Sequence, residues 1–170
     1  MAAGISINDN CLDYIKEVLP KGSTILEFGS GEGTTWLSDV GYKMYSVENQ
    51  PEWFDKFPNH TTYINCSIKY YDSEYTAPKN IFDQRGWYNP DDLFPNLPTN
   101  YDLILVDGPG SSWGRGGFYK HIDKFNTDVT MIFDDINRTQ DSDVMEFVSD
   151  YVGREYKIID LYTGVIDAKS

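Results

Sequence analysis

Two apolar runs that end in acidic residues constrain the fold of this chain most. They are "YDLILVDG" (101–108) and "VTMIFDD" (129–135), and each is nearly continuous in apolar residues. Runs of this kind are typical of parallel strands that are buried on both faces of a sheet. Three further short runs have the composition of strands: "STILEF" (23–28), "YKMYSVE" (42–48) and "TTYINCS" (61–67).

Helical patterns lie between these strands. One helical face carries Leu12, Ile15, Val18 and Leu19, and "GTTWLSDVG" (33–41) and the stripe Val144, Phe147, Val148 and Tyr151 predict two more helices. The last runs, "YKIIDLY" (156–162) and "TGVIDA" (163–168), are too closely connected for a helical crossover, so we expect them to pair antiparallel. The pattern predicts an α/β fold: a Rossmann-like, doubly wound, mostly parallel seven-stranded sheet with an antiparallel edge strand, in three α/β/α layers. We expect residues 1–170 to form a single domain.

The charge of the chain disfavours polyanionic partners. The formal net charge is −13, and the four arginines form no basic cluster. Nucleic-acid-binding proteins usually present a basic patch, so we expect neither nucleic acid nor a membrane surface as a partner. Cys11 and Cys66 are far apart and have no metal-binding spacing. We therefore expect reduced thiols in a cytoplasmic protein.

A glycine-rich loop follows the first predicted strand, in "ILEFGSGEGTTW" (25–36). Its glycines, Gly29, Gly31 and Gly33, follow the G-x-G-x-G spacing instead of the dinucleotide pattern G-x-G-x-x-G. Glu27 would repel a pyrophosphate there but would suit a cation. Glu48 follows Gly29 by nineteen residues, close to the spacing of an acid that binds ribose hydroxyls. A ligand with a ribose, a positive charge and no diphosphate is indicated, and S-adenosylmethionine has these properties.

Every predicted parallel strand delivers a polar group to the same edge of the sheet. Asn65 and Ser67 follow the third strand, Asp107 the fourth, and Asp134 and Asp135 the fifth. Ligands of doubly wound sheets bind beyond the carboxyl ends of the strands, so these side chains predict one binding site.

The loop and these strand ends together resemble class I S-adenosylmethionine-dependent methyltransferases. "ILEFGSGEGT" resembles their first motif, "YSVENQPEW" the next, and "YDLILVDGPG" and "VTMIFDDINR" are similar to those at strands four and five. The resemblance implies S-adenosyl-L-methionine as cofactor, with Glu48 holding both ribose hydroxyls. The candidate cofactor-binding residues are Glu27, Gly29, Ser30, Gly31, Gly33, Glu48, Asn49, Asn65, Ser67 and Asp107.

The pattern D-G-P-G…R…D-D-x-x-R resembles a narrower subgroup of small methyltransferases whose substrate is unassigned. The candidate catalytic residues are Asp107, Asp134, Asp135, Arg115 and Arg138. The three aspartates also resemble the magnesium ligands of catechol-type O-methyltransferases, although the Asp-Asp pair and the Gly-Pro depart from that pattern. Two alternatives stay open: a hard dication such as Mg²⁺ between the three carboxylates, or arginine tethers with one aspartate as a helix cap.

The resulting hypothesis is methyl transfer to a small-molecule acceptor, at oxygen. The alternative is a methyltransferase-like protein that binds the nucleoside without transferring its methyl group. A segment at 69–100 is either a substrate-facing wall or an irregular cover of the sheet edge. Its candidate lining residues are Tyr70, Tyr71, Tyr75, Trp87 and Tyr88. The glycine-rich stretch 108–121 predicts a gate or a turn, and His121 is a possible base or a capping residue.

Overall fold

The apolar runs form strands, as their sequences predict. The structure, a computed structural model, describes residues 7–54, 56 and 60–170. The strands in chain order are β1 (Thr24–Phe28), β2 (Lys43–Glu48), β3 (Thr61–Asn65), β4 (Ile68–Tyr70), β5 (Gly86–Tyr88), β6 (Leu103–Val106), β7 (Thr130–Phe133), β8 (Tyr156–Ile158) and β9 (Gly164–Ile166). The helices are α1 (Asp9–Val18), α2 (Glu32–Val40), α3 (Pro90–Leu93), α4 (Gly116–Lys120) and α5 (Thr139–Val152), with 3₁₀ turns at Pro51–Trp53, Phe94–Asn96 and Ile122–Lys124.

Seven of the described strands form one sheet in the order β3-β2-β1-β6-β7-β9-β8. The first five of these are parallel to one another. β9 pairs antiparallel with β7 on one side and with the edge strand β8 on the other. The predicted mostly parallel seven-stranded sheet with an antiparallel edge is therefore confirmed. β4 and β5 form a separate antiparallel pair.

The two faces of the sheet build two cores. Ile25 of β1 lies in a cluster with Cys11 and Ile15 of α1 and Leu37 of α2. The other face carries Leu26 and Phe28 of β1, which cluster with Phe118 of α4 and with Val144, Met145 and Val148 of α5. Because strand side chains alternate between faces, a short apolar run supplies both cores. The result is the three-layer α/β/α arrangement.

The buried stripe of α1 differs from the predicted one. Ile7, Cys11, Ile15 and Leu19 are all at most 8% exposed, whereas Val18 is 41% exposed. These four residues follow one another at intervals of four, so they lie on one face, and Val18 falls on its flank. The prediction placed Val18 on one helical face with Ile15 and Leu19, whereas the structure buries those two and leaves Val18 exposed.

The segment after β3 packs onto the sheet and is not an open loop. Trp87 and Tyr88 of β5 are completely buried. The ring of Trp87 lies 5.7 Å from that of Phe28 and 5.6 Å from the imidazole of His121. Tyr70, by contrast, is 57% exposed. The segment therefore covers the sheet with core aromatics. Tyr88, one of the five candidate lining residues, also reaches the cavity described next.

Candidate functional site

A cavity of about 500 Å³ opens beyond the carboxyl ends of β2, β1 and β6. The chain turns back at this point of the sheet, because β2 and β3 lie on one side of β1 and β6 and β7 on the other. Such switch points are where doubly wound sheets bind ligands. The cavity is lined by Gly29, Ser30, Glu48, Asn49, Gln50, Glu52, Trp53, Tyr88, Asp107, Gly108, Pro109, Gly110, Ser111, Arg115, Asp135 and Arg138.

Two glycines cross at the floor of this cavity. Gly29 has a φ of +90°, and a Cβ placed on it would lie 2.8 Å from the carbonyl oxygen of Asp107. A Cβ on Gly108 would lie 2.7 Å from the Cα of Gly29 and 2.6 Å from the hydroxyl oxygen of Tyr88. The loops after β1 and β6 therefore touch backbone to backbone, a contact that requires glycine at both positions.

Glu48, the last residue of β2, is held in place by backbone amides. Its Oε2 accepts a 2.8 Å hydrogen bond from the Ser30 amide, and its Oε1 accepts 2.7 Å bonds from those of Asn49 and Gln50. Burial raises the pKa of Glu48, and these three amides oppose the rise. An ionised carboxylate has about four lone-pair sites, so Glu48 keeps one, on Oε2, that can accept a hydrogen bond from a ligand diol.

Glu27 forms hydrogen bonds within the protein and does not line the cavity. It is 1% exposed, and its Oε2 accepts hydrogen bonds of 2.7 Å from Thr34 and 2.5 Å from Ser46. Burial raises the pKa of Glu27 to about 7, against the two hydroxyl donors. The Thr34 hydroxyl also accepts a 3.1 Å bond from the amide of Gly31. Glu27 thus connects β1, β2 and the start of α2 without lining the cavity.

Four other candidate cofactor residues also lie outside the cavity lining. Gly31 and Gly33 lie at the start of α2, and a Cβ on Gly33 would meet the side chain of Ile7 at 2.8 Å. Asn65 ends β3. The hydroxyl of Ser67 donates a 2.5 Å hydrogen bond to Asp92. The lining brings together Gly29, Ser30, Glu48, Asn49 and Asp107 from the predicted set.

Three aspartates meet at the other end of the cavity. Carboxylate oxygens of Asp107, Asp134 and Asp135 lie within 4.8 Å of one another. Burial and the adjacent charge of Asp134 raise the pKa of Asp107 well above its usual value, and the two side chains share a hydrogen bond. One proton bridging two carboxylates relieves their repulsion. Only Asp107 and Asp135 of the three line the cavity.

Two arginines bind this acidic group. Arg115 is 3% exposed and donates a 2.9 Å hydrogen bond from Nη2 to Oδ2 of Asp135. Arg138 donates to the same oxygen at 2.7 Å and to Asp141 at 2.6 Å. The side chain of Arg138 remains 32% exposed and lines the cavity. The structure therefore contains the arginine tethers that one of the two sequence alternatives predicts. The aspartate helix cap of that alternative is wrong, because Arg115 and Arg138 are the N-cap residues of α4 and α5 and neither helix has a side-chain cap bond.

The three carboxylates provide hard oxygen donors, but their surroundings do not suit Mg²⁺. Arg115 Nη2 lies 2.9 Å from Asp135 Oδ2 and 3.4 Å from Asp107 Oδ1, between two of the three acids. A dication bound there would face a buried guanidinium at close range. The residues present therefore do not fit a magnesium ion.

His121 lies away from the cavity. It follows α4, and its Nε2 is 2.9 Å from the hydroxyl of Tyr75. Its imidazole also stacks on Trp87. Burial, followed by the charge of Lys120, lowers the pKa of His121 to about 4, so the ring is neutral at pH 7. Of the roles open to it from sequence, the structure favours the C-terminal cap of α4.

The predicted gate is tied to the β4–β5 pair by several contacts. The amide of Arg85 donates a 2.9 Å hydrogen bond to the carbonyl of Trp113, and the amide of Gly116 donates a 2.7 Å bond to Gln84. The ring of Trp113 lies 5.0 Å from that of Tyr70. The stretch is thus a turn into α4 that packs against its neighbours.

Sequence reasoning missed three lining residues at the cavity mouth, Gln50, Glu52 and Trp53. A 3₁₀ turn with Pro51 at its start places them there. The signal was present in "ENQPEW", because a proline three residues after the last residue of a strand favours a turn over that end. The hydroxyl of Tyr88 is also buried at this cavity and has no hydrogen-bond partner among the residues that the structure describes.

Solved structures that match this fold include methyltransferases. A TehB-like SAM-dependent methyltransferase from Corynebacterium glutamicum matches with a TM-score of 0.55 at 17% identity, over 94% of this chain and 88% of that chain. The C-terminal domain of precorrin-6Y C5,15-methyltransferase from Rhodobacter capsulatus matches with a TM-score of 0.60 at 9% identity, over 99% and 95%. The chain has the fold of class I S-adenosylmethionine-dependent methyltransferases.

A third structure with this methyltransferase fold was solved with bound ligands. MycE methyltransferase from the mycinamycin biosynthetic pathway, in complex with Mg and SAH, matches with a TM-score of 0.55 at 12% identity, over 92% of this chain and 44% of that chain. No family model and no curated protein sequence matches the chain. Identities this low show a common fold alone.

Proposed function

We propose that this chain binds S-adenosyl-L-methionine and transfers its methyl group to the oxygen of a small-molecule acceptor. The observation that carries the proposal is the Glu48 carboxylate, which three backbone amides hold at the switch point of a methyltransferase fold. A fixed carboxylate next to a close backbone approach at Gly29 suits a ribose diol. Residues 1–170 would act as one domain for this ligand.

The two ends of the cavity have different chemistry, and this suits a nucleoside with a charged tail. Glu48 and the amide-rich turn after β2 lie at one end, and Asp107 lies at the other. Asp107 and Asp134 keep one net negative charge while they share a proton, and this charge would stabilise the positively charged end of the ligand, because opposite charges attract strongly where water is limited. S-adenosylmethionine supplies an electrophilic methyl group on a sulfonium, so the protein's task is largely to position the reactants.

Asp107 is the residue best placed to accept a proton from an acceptor hydroxyl. It lines the cavity, whereas Asp134 lies behind it and is 7% exposed. Burial and the charge of Asp134 raise the pKa of Asp107, which makes its ionised form a stronger base than an ordinary aspartate. Asp135 is a poorer base because one of its oxygens accepts from both Arg115 and Arg138.

The charge of the protein supports a small acceptor. With a net charge of −13 the chain repels nucleic acid and anionic membrane surfaces. In the described part of the chain, no helix is long and apolar enough to cross a membrane. We propose a small neutral or cationic molecule with a hydroxyl group as the acceptor, with neither nucleic acid nor membrane as a partner.

An acceptor screen tests the proposal. The full chain would be incubated with S-adenosylmethionine and a panel of small hydroxyl compounds, and products detected by the mass of one added methyl group. We expect transfer to at least one compound and a kcat that falls about a hundredfold in Asp107→Asn. Binding of the cofactor without transfer to any compound would contradict transfer and would favour the alternative, a nucleoside-binding protein without this activity.

A further inference from the structure

We propose that Arg115 is a built-in cation of the aspartate cluster and that it takes the place of a divalent metal ion there. The cluster consists of Asp107, Asp134 and Asp135. The proposal concerns the chain without any ligand, so it holds whether or not the protein transfers methyl groups.

The first observation is the number of oxygens that Arg115 binds. Nη2 donates to the carbonyl of Asp107 at 2.8 Å, to Oδ1 of the same residue at 3.4 Å and to Oδ2 of Asp135 at 2.9 Å. Nη1 donates to the carbonyl of Asp134 at 2.9 Å, and Nε to that of Pro109 at 3.3 Å. All three aspartates therefore contribute an oxygen to one guanidinium, two of them through their carboxylates.

The second observation is that Arg115 is almost completely buried. Its side chain is 4% exposed, so the charge is compensated by the protein and not by water. A buried charge is stable only when it is paired and hydrogen-bonded. The aspartates meet this need, and the guanidinium in turn reduces the repulsion between them. Each side thus requires the other, as a metal ion and its ligands do.

The third observation is that one potential metal ligand has two other partners. Oδ2 of Asp135 also accepts a 2.7 Å hydrogen bond from Arg138, which in turn binds Asp141. A metal ion would need lone pairs that these guanidinium groups use, at about 2.0–2.6 Å. Binding through this oxygen would then require both arginines to leave it, and Arg115 is 3% exposed.

Arg115 also fixes backbone, which a metal bound only by the carboxylates would not do. The carbonyls of Asp107 and Asp134 follow β6 and β7 directly, and one guanidinium joins both. These strands are neighbours in the sheet. Arg115 is therefore a positioning residue: it sets the spacing of the two loops that form the acidic end of the cavity.

Manganese binding followed by electron paramagnetic resonance tests this proposal with Mn²⁺ alone and no methyl donor. The full chain would be titrated as wild type, Asp135→Asn, Arg115→Gln, Arg115→Lys and the double variant Arg115→Gln/Asp135→Asn. We expect no Mn²⁺ site in the wild type that Asp135→Asn removes. Arg115→Gln should bind Mn²⁺ at least about tenfold more tightly than the wild type does, because the three carboxylates lose the cation that neutralises them. Arg115→Lys should not gain the site, and the double variant should lose it.

Two results would overturn the proposal. One is a stoichiometric Mn²⁺ site in the wild type that is lost in Asp135→Asn, and the other is a folded Arg115→Gln that gains no affinity. If Arg115→Gln does not fold, the comparison of Mn²⁺ binding by the wild type and Asp135→Asn still decides. The melting temperature of the wild type, measured in EDTA and in excess Mg²⁺, gives a second readout. An equal melting temperature supports the proposal, and a rise with Mg²⁺ that Asp135→Asn abolishes refutes it. None of these readouts depends on methyl transfer.

Discussion

The hydroxyl of Thr34 donates a 2.7 Å hydrogen bond to Glu27, and this bond keeps the acid of the glycine loop inside the protein. Ser46 of β2 donates to the same oxygen. The carboxylate therefore joins two strands and the first turn of α2, and it fixes the loop from behind. In this structure the ligand-facing acid is Glu48, which lines the cavity.

Glu27 should make the protein less stable as the pH rises from about 4.5 to about 7. Burial raises its pKa from 4.5 to about 7, so the folded state binds more protons than the unfolded state over this interval. The free energy of unfolding should fall by about 3 kcal/mol across it and then level off. Urea denaturation at several pH values measures this contribution.

The control for this measurement is Glu27→Gln, which keeps a side-chain oxygen for Thr34 and Ser46 but has no charge. The free energy of unfolding of the variant minus that of the wild type should increase from pH 4.5 to pH 7, because only the wild type loses stability as Glu27 ionises. A difference that is independent of pH would show that Glu27 does not titrate in this range.

The sheet could be predicted because each of its strands is indicated by a short run of consecutive residues in the sequence. Four consecutive apolar residues in β6 and three in β7 already require two covered faces, and the acids that follow mark the strand ends. Glu48 could be placed in the same way, since it lies at the end of such a run. The buried stripe of α1 was only partly predictable, because the choice between Cys11 and Val18 depends on which face meets the sheet.

The geometry of the acidic cluster could not be predicted from the sequence. Arg115 lies eight residues after Asp107 and twenty before Asp135, and spacing alone does not show that one guanidinium binds both. The orientation of Glu27 was equally hidden, because Thr34 and Ser46 reach it from different elements. Such contacts depend on tertiary packing, which leaves no local periodicity.

Gly108→Ala should destabilise the protein by about 1–3 kcal/mol, because overpacking forces backbone to move. Its Cβ would lie 2.7 Å from the Cα of Gly29 and 2.6 Å from the Tyr88 hydroxyl. Gly110→Ala is a matched control in the same loop, since no atom of the described residues lies within 4 Å of its Cβ position. Chemical denaturation should show a change within about 0.5 kcal/mol for the control. Equal effects of the two substitutions would contradict the close crossing of the loops.

The preference for S-adenosylmethionine over S-adenosylhomocysteine should increase with pH. The raised pKa of Asp107 means that this carboxyl loses its proton only as the pH rises, and the new charge favours the sulfonium. Both ligands carry the same amino and carboxyl groups, so their ratio of Kd values isolates the sulfonium. Competition calorimetry should show a gain of about tenfold.

In Asp107→Asn the ratio of the two Kd values should be independent of pH. A wild-type ratio that does not change with pH would argue that the positive charge lies elsewhere in the cavity.

The imidazole of His121 should stay neutral down to a pH of about 4. Burial lowers its pKa from 6.5 to about 4. The folded state then binds fewer protons than the unfolded state between these values, so this group adds stability as the pH rises from 4 to 6.5. Proton–nitrogen correlation spectra of the ring report the midpoint directly. A midpoint near 6.5 would place His121 in water and contradict its packing between Tyr75 and Trp87.

The most direct test of the account is calorimetric titration of S-adenosylhomocysteine into the wild type, Glu48→Ala and Glu146→Gln. Glu146 is an exposed acid on α5 and does not line the cavity, so it controls for the loss of charge. We predict one binding site in the wild type, an unchanged Kd in Glu146→Gln and a Kd about a hundredfold weaker in Glu48→Ala. No binding by the folded wild type, or equal affinity in Glu48→Ala, would contradict the assignment of this cavity to the nucleoside.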